Sequence, residues 1–586
     1  MRGAETDTIE YTCEVAEVEG RDILYVCKNG KNFQLDTLYD QDAMMDLWYQ
    51  SLPDMGYQNK ILFCGFGNGM YIRKLLAEVD ESVRILVYEP SAIIYEKSME
   101  VYDHSEILQD GRVEIVVEGV SDIAFEDRLY EFLTYHDIKN CIIQAYPNYD
   151  RIVSEQVKYF DEQVQLAIMK IRATQNVLAR YGMKDAKNSL CNRIPLMRSK
   201  SMISLQKELP LDVPAIIISS GPSLNKNIEE LKRAKGRAFL VAVDSAVPAL
   251  MKHDVIPDII VTVDSNKNTK HIDDPRAVEV AMICCLESQC ALVAPQKGAV
   301  FFMNDQNPYI AEFNRRNHVF LPNFSTGGSV ANSACAVLTA FGFKNIVFVG
   351  QDLAYTDNLA YAAGTVGSQR AFRIEDQEEK YVDGYYGGKV RSSSEFILYL
   401  DWFVEEIAQH PEISFYNATE GGALIRGAQN ISLREVIGRL CLKDFNIDEI
   451  VDRTQPLYDD EQKKQLEEYM KQLPERLEKD KQDATRAIRD YEKICQILLQ
   501  KNSYGQIRKL LDSASVITKR LETAPEMYYV FCYGQQRLQD LSEGLNDQTE
   551  DVRKDILNTA QRGKDYLEAI RETVDELADF MKMIAI

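Results

Sequence analysis

Seven short apolar runs between residues 211 and 435 constrain this chain more than any other feature. They are PAIIIS, AFLVAV, DIIVTV, AMICCL, AVFFM, NIVFVG and ISFYN. Most are apolar at odd and even positions alike, and a strand that is apolar on both faces must be covered on both faces. Helical patterns lie between several of them, which predicts a mostly parallel sheet with helices on either side, a Rossmann-like α/β unit. Such a sheet has one functional rim, because ligands bind outside the carboxyl ends of its strands.

The residues just after each run are therefore the first site candidates. In IIISSGPSLNKNIEEL the strand ends at Ser219-Ser220, Gly221 and Pro222 turn the chain, Ser223 can cap, and a helix starts near Asn225. The N–H groups of such a turn suit a phosphate or a carboxylate. It is not a Walker loop, because GK[ST] is absent. VAVDSA ends at Asp244-Ser245 and VTVDSN at Asp264. FSTGGSVANSACAVLTAFGFKNIVFVGQDLAY places Ser325, Thr326, Gly327, Gly328 and Ser329 at the start of a small-residue helix, a second anion-binding turn, and its strand ends at Gln351-Asp352. Asn417 closes ISFYN. Each Asp alone reads as a helix cap. Three acids and two Gly/Ser turns on one rim read as a ligand site.

The flanks differ in kind. Near the N-terminus, ILYVCKNGKNFQL reads as a hairpin turning at Asn29-Gly30. KILFCGFGNG, MYIRKLLAEV and VRILVYEP then form a β-α-β unit. Its turn (Gly65, Gly67, Gly69) and Glu89, 20 residues after Gly69, outline a nucleotide-binding motif, but Met70 stands at the third-glycine position. The pattern is nearer that of S-adenosylmethionine methyltransferases, yet no matching catalytic motif follows, and the turn is expected to be structural. Beyond residue 440, apolar residues recur at helical spacing. The expected layout is an N-terminal hairpin region plus α/β domain at 1–155, a helical basic linker at 156–204, a central α/β domain at 205–440 and an all-α domain at 441–586.

Charge narrows the partners. Lys and Arg number 67 against 91 Asp and Glu, a net −24. Nucleic acid and anionic membrane surfaces are disfavoured. One stretch runs the other way: residues 169–207 hold nine basic residues and one acid, Asp185. Lying just before the first run, it is expected to fold back near the site and concentrate anionic ligands. No apolar run reaches the roughly 18 residues of a membrane span, and no signal peptide is visible. The 12 Cys are scattered without a CxxC pair and the six His are isolated, so a zinc site is not expected and a reducing, cytoplasmic setting is.

SSGPSLNKNIEELKR, VAVDSAVPALMKHDVIPDIIVTVDSN, TGGSVANSACAVLTAFGFKNIVFVGQDLAY and NATEGGALIRGA together resemble the central domain of the motility accessory factor family, bacterial flagellin glycosyltransferases. That resemblance implies transfer of a nonulosonic acid, pseudaminic or legionaminic, from its CMP-activated form to flagellin Ser or Thr. It implies flagellin and the CMP-sugar as partners, with no bound cofactor beyond the donor and a divalent metal left open. The domain is in turn similar to bacterial sialyltransferases, whose GNGPSL and TSG motifs resemble SSGPSL and Thr326-Gly327-Gly328. By the same resemblance Ser219, Ser220, Gly221, Pro222, Ser223, Asp244, Ser245, Ser325, Thr326, Gly327, Gly328, Gln351 and Asn417 would bind the nucleotide sugar. Tyr355 and Tyr361 match the spacing of two phosphate-holding tyrosines. The sialyltransferases' general-base His has no counterpart in GGKVRSSSEFILYLDW, which leaves Asp352, Asp264 and Glu420 as available carboxylates. The same GPSL-type domain also resembles an archaeal 6-hydroxymethyl-dihydropterin diphosphokinase, in which Asp244 and Asp264 would hold Mg²⁺ with ATP. A non-catalytic binding protein is the third reading.

Overall fold

A computed structural model describes residues 11–18, 20–35, 40–53, 60–81, 83–134, 137–138, 141–304, 306–324, 326–356, 359–367, 380–499, 504–542 and 552–586. The chain opens with an antiparallel meander of β1 (Tyr11–Val18), β2 (Arg21–Lys28) and β3 (Lys31–Gln34). Asn29 and Gly30 join β2 to β3, both with positive φ, 51° and 71°. A two-residue hairpin demands that conformation, and the Asn-Gly pair tolerates it. A parallel sheet follows, with β4 (Lys60–Cys64), β5 (Arg84–Glu89), β6 (Val113–Val117) and β7 (Ile142–Ala145) in the order β6-β5-β4-β7.

The central sheet contains all seven expected strands. They are β8 (Ala215–Ile218), β9 (Phe239–Val243), β10 (Ile259–Thr262), β11 (Ala281–Cys284), β12 (Val300–Phe302), β13 (Asn345–Val349) and, after a small hairpin of β14 (Lys380–Asp383) and β15 (Lys389–Ser392), β16 (Ser414–Asn417). A two-residue edge, β17 (Gln429–Asn430), completes the order β12-β11-β10-β9-β8-β13-β16-β17, with every pairing parallel. Every residue of β8, β9, β10 and β11 is buried, as runs apolar on both faces require. The small-residue helix Val330–Phe341 covers one side, with Ala331, Ser333, Ala334 and Ala336 all buried. Strand order reverses between β8 and β13, so the crevice of this sheet opens where Ser219 follows one strand and Gly350 the other.

The segment 156–204 lies almost wholly within one helix, Ser154–Met197, of 44 residues. Its first third sends Phe160, Val164 and Ala167 into the N-terminal core, and its last third sends Ala186 and Leu190 into the central core. The helix Met527–Ser542 packs along it. The helices Asp460–Lys471, Leu473–Leu499, Tyr504–Thr523 and Val552–Met583 complete the C-terminal bundle. Their buried residues, from Leu466 to Met581, belong to the same continuous core as β8–β13. None of the helices described is long and apolar enough to cross a membrane.

Candidate functional site

The crevice between β8 and β13 is built from two turns that hold each other. Ser219 donates its hydroxyl to Gln351 Oε1. The Ser219 and Gly221 N–H groups reach the carbonyls of Val349 (2.8 Å) and Gly350 (2.8 Å). The Ser223 N–H lies 3.2 Å from each oxygen of the Asp352 carboxylate, and the Ser223 hydroxyl donates to it as well. Thr356 Oγ1 adds a third donor at 3.2 Å. The donors of the SSGPSL turn are taken by the chain's own Asp352. That side chain is buried, and burial raises its pKa while the Ser223 and Thr356 donors oppose the rise.

Gly221 is glycine for the same reason. A Cβ there would meet the Asp352 carboxylate and would come within 2.6 Å of the Gly350 carbonyl. The sequence suggested that the space beside Gly221 admits a nucleotide; Asp352 occupies it. Pro222 is buried between Gly221 and Ser223. Above the turn, Ala362 N–H donates to the Ser220 carbonyl (2.8 Å), so the segment 359–367 folds over this end of the sheet.

Next to it the rim becomes polar. Ser220 Oγ and Ser245 Oγ are 2.8 Å apart. Asp244 is fully buried at the end of β9 and accepts from Thr262 Oγ1 at 2.8 Å. Its other oxygen makes no hydrogen bond among the described residues and lies 3.3 Å from Lys267 Nζ. The same ammonium stands 3.7 Å from Asp264 Oδ2, whose side chain is 49% exposed. Burial alone would lower the Lys267 pKa; the two carboxylates outweigh it and raise it, so the lysine is charged. The turn Thr269–Ile272 packs against Asp244–Ala246 and brings in His271. Burial holds the His271 imidazole below its usual range, against the pull of Asp244, and its Nδ1 is enclosed without a hydrogen-bond partner among the described residues. Asp185 reaches Ser265 from the long helix, its pKa raised by burial.

The remaining candidates divide. Tyr355 packs on Phe396 of the helix Ser394–Gln409 at 5.5 Å between ring centroids, and Tyr361 lies within electrostatic range of Tyr399, one turn further along that helix. Tyr361 is also close to Lys267. Gly327 and Gly328 approach that helix through Trp402 and Tyr399, and Gly328 has φ +90°. Ser329, not the glycines, caps the helix that follows, accepting from Asn332 N–H at 3.1 Å. Thr326 is exposed, and Ser325 lies outside the described residues. Asn417 is fully buried and turns its Oδ1 to the Thr419 N–H. Glu420 accepts from Leu433 N–H at 3.1 Å, in the first turn of the helix Leu433–Leu440 that Ser432 caps. Among the described residues no group of three His, Cys, Asp or Glu is arranged to hold a metal.

One expectation changes and two residues are added. The basic stretch does not form a rim. Arg193 donates to the Ile584 carbonyl (2.6 Å), Arg198 to Gln296 (2.7 Å) and Lys200 to Val451, while Lys187 lies over the rings of Tyr533 and Phe580. These cations tie the long helix to the rest of the chain. Only Lys184 reaches the site loop, at Asn266 Oδ1. Lys267 and His271 were missed in the sequence; the signal was their place in DSNKNTKHI, within a few residues of a strand-end Asp.

The N-terminal turn is occupied by side chains of its own domain. The Glu89 carboxylate takes the N–H groups of Phe66 (2.6 Å) and Ser91 (2.8 Å) and the Tyr149 hydroxyl (2.7 Å). The Tyr146 ring lies where a side chain on Gly67 would go.

With this geometry in view, comparisons with known proteins are specific in one respect. A family model described as 6-hydroxymethylpterin diphosphokinase MptE-like matches residues 188–358. An uncharacterized protein of Treponema pallidum (strain Nichols) is 27% identical over 139 residues, which is 24% of this chain and 23% of that relative. A solved structure, the MAf glycosyltransferase from Magnetospirillum magneticum AMB-1, aligns with 98% of this chain and 91% of its own, with a TM-score of 0.60 at 14% identity. The chain thus shares its overall fold with that glycosyltransferase over 98% of its length.

Proposed function

We propose that this chain is a glycosyltransferase of the motility accessory factor kind. It would transfer a nonulosonic acid from a CMP-activated donor to Ser or Thr of flagellin in the cytoplasm. The observation that carries the reading is the shared fold over 98% of the chain. A nucleotide-binding domain alone would not need the N-terminal α/β unit and the helical bundle. In this reading the nucleotide sugar lies along the rim from Ser220 and Ser245 to Asp264 and Thr326. Breaking the sugar–phosphate bond puts negative charge on the phosphate and cationic character on the anomeric carbon. Lys267 and the hydroxyls of Tyr361 and Tyr355 would meet the first. Asp264 would be the base for the acceptor hydroxyl: it accepts from the Asn266 N–H and lies 3.7 Å from Lys267 Nζ, but it is the exposed carboxylate of the three candidates; that of Asp352 is buried against Ser223 and that of Glu420 is held by the Leu433 N–H.

The description of the family model names a second reading, diphosphoryl transfer from ATP to a pterin, without favouring it. Such chemistry needs a divalent cation against the phosphates, and the carboxylates that would hold it are paired with Lys267. That pairing favours the glycosyltransferase. Incubation with a CMP-nonulosonate and flagellin, in parallel with ATP and hydroxymethyl-dihydropterin, separates the readings. The expected result is CMP release with a mass gain on flagellin. Pterin diphosphate without flagellin modification would establish the second reading, and nucleotide binding without turnover a non-catalytic protein.

A further inference from the structure

The site leaves one reactive cluster unused. Cys191, on the helix Ser154–Met197, and Cys290, at the start of the helix Cys290–Val293, come from elements 99 residues apart. Two asparagines on the long helix fix them against each other. Asn188 accepts the Cys290 N–H at 3.2 Å, and Asn192 donates to the Ser288 carbonyl at 2.7 Å. Cys191 is one turn beyond Asn188 and so shares its face. The contact of Asn188 with Cys290 therefore brings the two thiols into the same neighbourhood, and both are only half-buried.

We infer that Cys191 and Cys290 form an oxidisable thiol pair that closes to a disulfide on reaction with hydrogen peroxide. The Cys290 sulfur is the nucleophile. The neighbouring Cys191 thiol, with help from the N–H groups of residues 290 and 291, lowers its pKa below the usual thiol value. Burial pushes the Cys13, Cys141 and Cys495 thiols up instead. The Cys290 thiolate attacks one peroxide oxygen. The O–O bond breaks, giving sulfenic acid on Cys290 and hydroxide, which takes up a proton as water. The Cys191 sulfur then attacks the Cys290 sulfur, forms the S–S bond and releases a second water. The two thiols lose two electrons and the peroxide gains them. The bridge would pin the 288–290 turn, whose Gln289 N–H holds the Asp264 carbonyl at 3.1 Å, to the long helix. The inference does not depend on which reaction the rim performs.

The test uses the full-length reduced protein and hydrogen peroxide at pH 7, followed by alkylation, non-reducing digestion and mass spectrometry. The expected first product is a peptide pair joined through Cys191 and Cys290, absent from Cys191→Ser and Cys290→Ser. In Cys191→Ser, dimedone should trap sulfenic acid at Cys290. Iodoacetamide should alkylate Cys290 in the untreated protein at least ~10-fold faster than Cys13, Cys141 or Cys495, following its larger thiolate fraction. Singly oxidised Cys290 without the cross-link in the wild type, or a different cysteine pair joined first, would overturn the inference. Both results are read on the wild type, so a variant that fails to fold does not decide the matter.

Discussion

The Ser223 N–H and hydroxyl both donate to the carboxylate of Asp352, 129 residues further along the chain. The pair closes the crevice at the point where the order of the central sheet reverses. Asp352 accepts from three donors and offers none in return. Asp352→Asn would turn an amide N–H toward one of them, so a loss of about 1–3 kcal/mol is expected in urea unfolding. In Asp352→Ala the turn's donors are released, and millimolar phosphate should raise the Tm of that variant more than that of the wild type. Equal shifts would mean that the turn does not bind anions.

Lys267 neutralises a fully buried carboxylate. Removing one member of such a pair leaves an uncompensated charge, costing about 3–5 kcal/mol. Lys267→Met should therefore be strongly destabilised, and Asp244→Asn added to it should recover much of the loss. A double variant no more stable than the single would show that the pair is not coupled.

Glu89 gives the N-terminal domain a pH dependence with a definite sign. Burial raises its pKa to about 7, against four hydrogen bonds that lower it. Between about pH 4.5 and pH 7 the folded state holds a proton that the unfolded chain has released. Stability from this group is therefore greatest at the acid end and falls as pH rises through 7, by an amount on the order of 3 kcal/mol. Urea unfolding followed by the fluorescence of Trp48, one of two tryptophans and packed on Tyr71, should show this slope. Glu89→Gln should lower stability at pH 5 and flatten the slope.

Arg193→Ala should loosen the C-terminus rather than alter ligand capture. Its guanidinium holds the Ile584 carbonyl, so hydrogen exchange across residues 580–586 should speed up. Donor KM should not acquire a salt dependence; if it does, Arg193 steers the ligand after all.

These sites show what the sequence displays and what it hides. All seven central strands were legible because burial on both faces writes a continuous apolar run, and the β2–β3 hairpin because Asn29 and Gly30 suit its backbone. The occupant of the SSGPSL turn was not legible. A turn that suits phosphate suits a carboxylate equally, and nothing local marks Asp352 as that carboxylate. The basic stretch misled for a related reason. A count of charges does not reveal that Arg193 will meet a backbone carbonyl 391 residues away. Lys267 escaped notice because its two partners lie at the ends of different strands, which only the folded sheet brings within reach of one ammonium.

The helix Ser154–Met197 has a mechanical consequence. At 1.5 Å per residue its 44 residues make a rod of roughly 66 Å, anchored at one end among Phe160 and Val164 and at the other among Ala186 and Leu190. A bend of ~10° near its middle would swing the N-terminal domain by about 6 Å, taking half the rod as the lever arm. The anchored end carries Lys184 and Asn188, which hold Asn266 and the Ser265 carbonyl beneath Asp264. Whatever grips the N-terminal domain therefore has a lever on the rim of the central sheet.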